Sequence, residues 1–198
     1  MGQKTSEKAD EEIVQIVQSG NLELFGELVK RYEAKMMRYA RKFLNITEDI
    51  EDVVQEVFIK TYQNIKSFNP EKKFSPWLYR IAHNEFINAL KKHKRRKVFS
   101  FFELDILLPY SFAKNGSQDM DKDRMYQPST RRRWGKAIDK FLDKLEIKYR
   151  EPIILYYLEE LSYKEIADIL HIPISTVGIC LKRGREKLKK IIGNKFYP

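Results

Sequence analysis

Trp77, Arg80, Asn84, Asn88 and Lys91 recur at steps of three, four, four and three residues, the interval that aligns side chains on one face of a helix. That stripe combines an indole, two carboxamides and two cations. The indole offers a flat surface for stacking, the amides carry both donors and acceptors, and the cations seek phosphate. Unpaired nucleic-acid bases suit such a set, because a splayed base exposes its π-face and its hydrogen-bonding edge together. Trp77 has a second reading as a core residue at a helix start, since tryptophan is usually largely buried. The surroundings are basic: from Glu71 to Lys97 nine Lys or Arg stand against two Glu.

A stretch of opposite charge precedes it. Between Phe43 and Ile59 lie Glu48, Asp49, Glu51, Asp52 and Glu56 and no basic residue. This face would repel nucleic acid and suits a protein partner, although a solvated acidic surface is the plainer account of such a run.

A third constellation is "SYKEIADILHIPISTVGICLKR", residues 162 to 183. Ser162 and Glu165 form a capping box that starts a helix with Ile166, Ala167, Ile169 and Leu170 inward. After the turn at "HIP", Pro173 and Ser175 open a second helix that buries Val177 and Leu181. Ser175, Thr176, Gly178, Ile179, Lys182, Arg183 and Arg185 are left to solvent or DNA. Small Ala167 allows the two helices to close, and the corner spacing is that of a helix-turn-helix with its second helix sized for the major groove. Lys182, Arg183, Arg185, Lys187, Lys189 and Lys190 load its far end with phosphate-seeking charge. An αα-hairpin whose basic end complements the helix dipole is the alternative. His171 takes the turn position that glycine fills most cheaply, and Gly178 inside the second helix costs about 1 kcal/mol relative to alanine. Cys180 reads as a small packing residue.

Helices must position all three groups, because periods of three and four dominate and no window sustains strand alternation. The expected fold is all-α: an N-terminal helical bundle over 1–97, a flexible linker over 98–134 and a C-terminal helix-turn-helix domain over 135–198. In the bundle, Leu24, Phe25, Leu28, Val29, Tyr32, Met36 and Tyr39 draw one buried stripe. A second helix capped by Thr47 turns Ile50, Val53, Val54, Val57, Phe58 and Ile65 inward. A third, with Ser75 as cap and Pro76 at its first position, buries Leu78, Ile81, Ala82, Phe86, Ala89 and Leu90. The linker lacks a period, yet its apolar burst "FSFFELDILL" at 99–108 is aromatic enough to dock on something.

Composition sets the limits. A net charge of +10 on 198 residues implies a polyanionic partner. One cysteine and three scattered histidines predict no disulfide, metal or cofactor. No apolar run is long enough to span a bilayer and no signal-peptide pattern opens the chain, so a cytoplasmic protein without membrane insertion is expected. "MGQKTS" fits an acylation pattern at Gly2 and Ser6, but an ordinary N-terminus is the simpler reading.

"TEDIEDVVQEVFIKTYQNI", "FSPWLYRIAHNEFINALKKHKRR" and "LSYKEIADILHIPISTVGICLKRGREKL" follow one another around the linker. Through them the chain resembles bacterial RNA polymerase sigma factors of the extracytoplasmic-function group, a sigma-70-like family. The resemblance implies a non-enzymatic promoter-specificity subunit that binds core RNA polymerase, directs it to promoters and assists their melting. It implies that Asp49, Asp52, Gln55 and Glu56 dock mainly on the clamp of the β′ subunit. It further implies that the loop from Ser67 to Phe74 and the adjoining helix, through Lys72, Phe74, Trp77, Arg80, Asn84, Asn88 and Lys91, capture single-stranded promoter DNA. The C-terminal corner would read the upstream element as duplex, and an anti-sigma protein would hold the factor inactive. Asn88 stands where the family often has aspartate, and Gly178, Ile179 and Cys180 replace more polar or basic residues. A stand-alone helix-turn-helix regulator acting as a dimer fits the C-terminal half alone; a DNA recombinase lacks a clustered nucleophile.

Overall fold

A computed structural model describes residues 8–44, 47–96 and 141–193, with side chains over 8–44, 49–92 and 141–193. All regular structure among the described residues is helical. The acylation pattern at Gly2 and Ser6, the linker over 98–134 and the Thr47 side chain lie outside those residues. The chain divides into two compact units, Met1–Phe99 and Ser100–Pro198.

The first unit begins with a helix the sequence reading did not anticipate, α1, Asp10–Gln18. Its first turn carries Asp10, Glu11 and Glu12, which oppose the positive end of the helix dipole. Ile13, Val14 and Val17 are fully buried, each stabilising the unit by about 1.5–3 kcal/mol. A 3₁₀ turn at Leu22–Leu24 leads into α2, Phe25–Ala40. Its buried side is Leu28, Tyr32, Met36, Tyr39 and Ala40, while Leu24, Phe25 and Val29 stay half-buried at the margin of the expected stripe.

Helix α3, Thr47–Asn64, buries Ile50, Val54, Val57, Phe58 and Thr61 and ends in a 3₁₀ turn at Ile65–Ser67. Helix α4, Phe74–Arg96, buries Leu78, Tyr79, Ala82 and Phe86. Tyr39 is the hub of the core, with its ring 5.2–5.3 Å from those of Phe43, Tyr79 and Phe86 in edge-on contacts. Such edge-on pairs add to what area burial alone supplies.

Helix α4 starts at Phe74, two residues earlier than Ser75 as cap and Pro76 at the first position would require. The Phe74 N–H donates to Glu11 Oε1 at 2.8 Å, so a carboxylate from α1 satisfies an open donor at this helix start.

In the second unit, α5, Ile147–Ile153, contains Pro152 and widens into a π-helical turn at Ile154–Leu158. Helix α6, Tyr163–Leu170, and helix α7, Ile174–Ile192, follow. Gly184 lets α7 approach α5 closely: a Cβ there would lie 2.7 Å from Ile153 Cδ1 and 3.3 Å from Tyr149 Cβ. Gly184→Val should therefore destabilise this unit by about 1–2 kcal/mol through overpacking, seen as faster hydrogen exchange of the α7 amides. Unchanged protection would show that Ile153 moves aside without cost.

Candidate nucleic-acid and partner interfaces

Three surfaces emerge from these helices. On α4, Arg80, Asn84, Asn88 and Lys91 are all exposed and Trp77 is half-buried, so the stripe expected from spacing exists. Trp77 meets both of its readings: its ring lies 4.9 Å from Phe68 and 5.8 Å from Phe74, yet part of it reaches solvent. Phe74 is a correction. It is only 1 % exposed, packed edge-on against Tyr32 at 5.6 Å and Phe68 at 5.9 Å, so it supports the surface rather than forming part of it.

The loop before α4 turns at Asn69-Pro70-Glu71-Lys72, closed by Lys72 N–H donating to Asn69 O at 3.0 Å and Glu71 N–H donating to Asn69 Oδ1 at 2.9 Å. Asparagine first and proline second favour this turn. It leaves Lys72 and Lys73 exposed at its tip. Below it, Tyr32 Oη donates to Asp10 Oδ2 at 2.5 Å and Arg31 Nη1 donates to Asp10 Oδ1 at 2.6 Å. Burial, and then the Asp10 carboxylate, push the Tyr32 hydroxyl well above the ordinary phenol range.

On α3, Asp52, Gln55 and Glu56 are exposed and Asp49 is half-buried. Ile59 and Tyr62, 49 % and 39 % exposed, continue the same stripe one and two turns on. The sequence reading passed over both, although two apolar side chains on an otherwise acidic face were the available signal. Tyr62 leans edge-on against Phe25 at 5.2 Å. Lys60 contacts Glu85 on α4 at 2.7 Å and Glu56 at 3.6 Å. These pairs, the Glu85 hydrogen bond foremost, raise the Lys60 pKa.

The C-terminal corner forms as its residues require. Ser162 Oγ accepts from Glu165 N–H at 3.3 Å and Glu165 Oε2 accepts from Ser162 N–H at 2.7 Å, completing the capping box. His171 is left-handed at φ 54°, and Ile172 N–H donates to Ala167 O at 3.1 Å, which closes the α6 end as a Schellman turn. Pro173 caps α7 rather than occupying its first turn. Ser175, Lys182 and Arg183 are exposed, while Thr176, Gly178, Ile179 and Arg185 are half-buried.

Lys187 is not simply phosphate-seeking: it contacts Glu146 at 2.6 Å. Hydrogen bonds from Lys148 and Lys187 hold the Glu146 carboxyl below its usual range. Cys180 is buried, and burial pushes its thiol up to about 11, the environment of an inert packing residue.

Gly178 has room for a methyl group, whose carbon would meet Tyr163 Cε2 at an ordinary 3.6 Å. Gly178→Ala should stabilise α7 by about 0.5–1 kcal/mol, measured as slower hydrogen exchange of its amides. Destabilisation would mean that the Tyr163 ring cannot tolerate the contact.

Among the described residues no helix is long and apolar enough to cross a membrane. Two family models match: Sigma-70 region 2 over residues 28–96 and Sigma-70, region 4, over residues 135–188. The chain is 35% identical to the ECF RNA polymerase sigma factor SigW of Bacillus subtilis, covering 88% of this chain and 91% of that protein. It is also 35% identical to the ECF RNA polymerase sigma-E factor of Haemophilus influenzae, over 96% of each. A solved structure of the sigma factor RpoE from Bartonella quintana, in complex with the anti-sigma factor NepR, matches in fold with a TM-score of 0.61. That match is 23% identical and covers 86% of this chain and 98% of the other. Region 2 and region 4 thus stand in order on one chain, which belongs to the ECF RNA polymerase sigma factors, the subunits that direct RNA polymerase to promoters.

Proposed function

We propose that this factor opens its promoters by dividing the work among the three surfaces. The acidic stripe of Asp49, Asp52, Gln55 and Glu56, with Ile59 and Tyr62 as its apolar part, docks on the clamp of the β′ subunit. The α4 stripe and the Lys72 loop take the melted non-template strand, and the helix-turn-helix binds the upstream element as duplex through Ser175, Thr176, Gly178, Ile179, Lys182, Arg183 and Arg185.

The observation that carries this reading is that α3 and α4 expose chemically opposite stripes within one bundle. An apolar patch in a polar surround is the usual make-up of a protein interface. Cations and amides beside an accessible indole suit strand capture. No catalytic group is needed: each captured base contributes about 1–3 kcal/mol by stacking, which offsets unstacking of the duplex. A cytoplasmic site of action follows from partnership with the polymerase. By analogy with the Bartonella quintana factor and its anti-sigma protein, an anti-sigma protein is proposed as the regulatory partner here.

The test is reconstitution of the purified chain with sigma-free core polymerase on a pool of host genomic fragments. Run-off transcripts from a defined subset, with permanganate-reactive thymines just upstream of their start sites, are expected. Sequence-specific duplex binding as a dimer, with no affinity for the polymerase, would overturn the proposal in favour of a lone helix-turn-helix regulator.

A further inference from the structure

We propose that α1 is a clamp on the strand-capturing loop, with Gln18 and Glu11 as its positioning residues; this rests on the strand-capture reading above. The segment from Ile65 to Phe74 leaves α3 and enters α4, and one short helix holds it at both ends. Gln18 Nε2 donates to Ile65 O at 2.7 Å and to Phe68 O at 2.8 Å. Glu11 Oε1 accepts from Phe74 N–H at 2.8 Å. These bonds cross 47, 50 and 63 residues of sequence, so the loop takes its shape from α1 rather than from its own neighbours alone.

The pinned residues are those that support Trp77. Phe68, whose carbonyl Gln18 holds, lies 4.9 Å from the indole, and Phe74, whose N–H Glu11 holds, lies 5.8 Å from it. Between the two anchors the Asn69–Lys72 turn is closed by its own bonds. A binding loop fixed before its ligand arrives loses less freedom on binding, so clamping raises affinity without touching the ligand. Neither Gln18 nor Glu11 belongs to the α4 stripe, and the acidic stripe on α3 is separate from both. Loss of the clamp should therefore lower strand capture while sparing attachment to the polymerase.

The chemistry of the anchors supplies the controls. Two carbonyls need two N–H donors, which a glutamine amide has and a carboxylate of the same shape lacks; Gln18→Glu also sets a negative charge against both oxygens. Glu11 needs only an acceptor oxygen, so Glu11→Gln retains the bond and Glu11→Ala removes it.

The experiment uses holoenzymes made from the full chain and sigma-free core, on one promoter found by run-off selection. It measures core affinity, permanganate-detected opening, and binding of a fluorescent single-stranded oligonucleotide carrying that promoter's non-template sequence. Gln18→Glu and Glu11→Ala are each expected to lower opening and oligonucleotide binding about tenfold, with core affinity within twofold of the unaltered chain. Glu11→Gln is expected to restore opening to within twofold.

Should Gln18→Glu reduce the helical circular dichroism signal, the comparison of Glu11→Ala with Glu11→Gln decides alone. Normal opening by Gln18→Glu and Glu11→Ala, with Trp77→Ala impaired, overturns the clamp and leaves strand capture intact. Loss of core affinity in parallel with opening overturns it too, by showing a general role in folding. Normal opening by Trp77→Ala overturns the strand-capture reading itself, and the clamp with it.

Discussion

Asp52→Lys combined with Gln55→Ala should weaken binding to sigma-free core polymerase about a hundredfold, close to 2.7 kcal/mol. Both residues are exposed on α3, so their replacement leaves the packing of Ile50, Val54, Val57 and Phe58 untouched. The lysine reverses charge in the middle of an acidic stripe and turns attraction for a basic partner surface into repulsion. The few hot-spot residues of an interface cluster near its centre and cost about 2 kcal/mol or more when removed. Glu56 is the poorer target, because Lys60 stands 3.6 Å from it and already partly neutralises it. The loss should be deeper at low ionic strength, since screening beyond about 8 Å at physiological salt blunts exposed charges. A fluorescence titration against core polymerase provides the check, beside a thermal melt that should not move. Unaltered affinity would sink the assignment of this face to the polymerase.

Trp77→Ala should reduce promoter opening about thirtyfold and leave core affinity within twofold. One stacked base is worth about 1–3 kcal/mol, and 2 kcal/mol corresponds to roughly that factor. Because the indole also rests on Phe68 and Phe74, some of the effect could come through the loop beneath it. Trp77→Phe separates the two contributions: it keeps a ring on that support while reducing the stacking surface, and an intermediate defect is expected. Permanganate footprinting measured against core binding gives the result. Equal losses in both assays would count against a role specific to opening.

The C-terminal corner was legible almost residue by residue because its determinants are local. Ser162 and Glu165 are three residues apart, His171 closes the helix that they open, and the inward positions of α6 and α7 follow from period alone. The stripes on α3 and α4 were legible for the same reason. What escaped notice is non-local. Ser75 and Pro76 look like a helix start, yet the Phe74 N–H there finds Glu11, 63 residues earlier in the chain. The family resemblance alone places Phe74 on the strand-capturing surface; Tyr32 and Phe68, from two other elements, bury it. Gly184 carries no local signal either, since its need for hydrogen in place of a side chain is set by Ile153 and Tyr149. Helix α1, nine residues long, is too short for its period to stand out against the break at Gly20 and Asn21.

That short helix also redraws the boundary of the folding unit. The family match begins at residue 28, and a fragment cut there would keep every residue of the α3 and α4 stripes. It would also discard Ile13, Val14 and Val17, the buried side of a helix that packs against α2. Arg31 and Tyr32 would lose Asp10, and the segment from Ile65 to Phe74 would lose its bonds to Gln18 and Glu11. The region 2 match and the packed unit therefore begin at different places in this chain: the packing and hydrogen bonding of the bundle reach back into α1, whereas the family model starts only within α2.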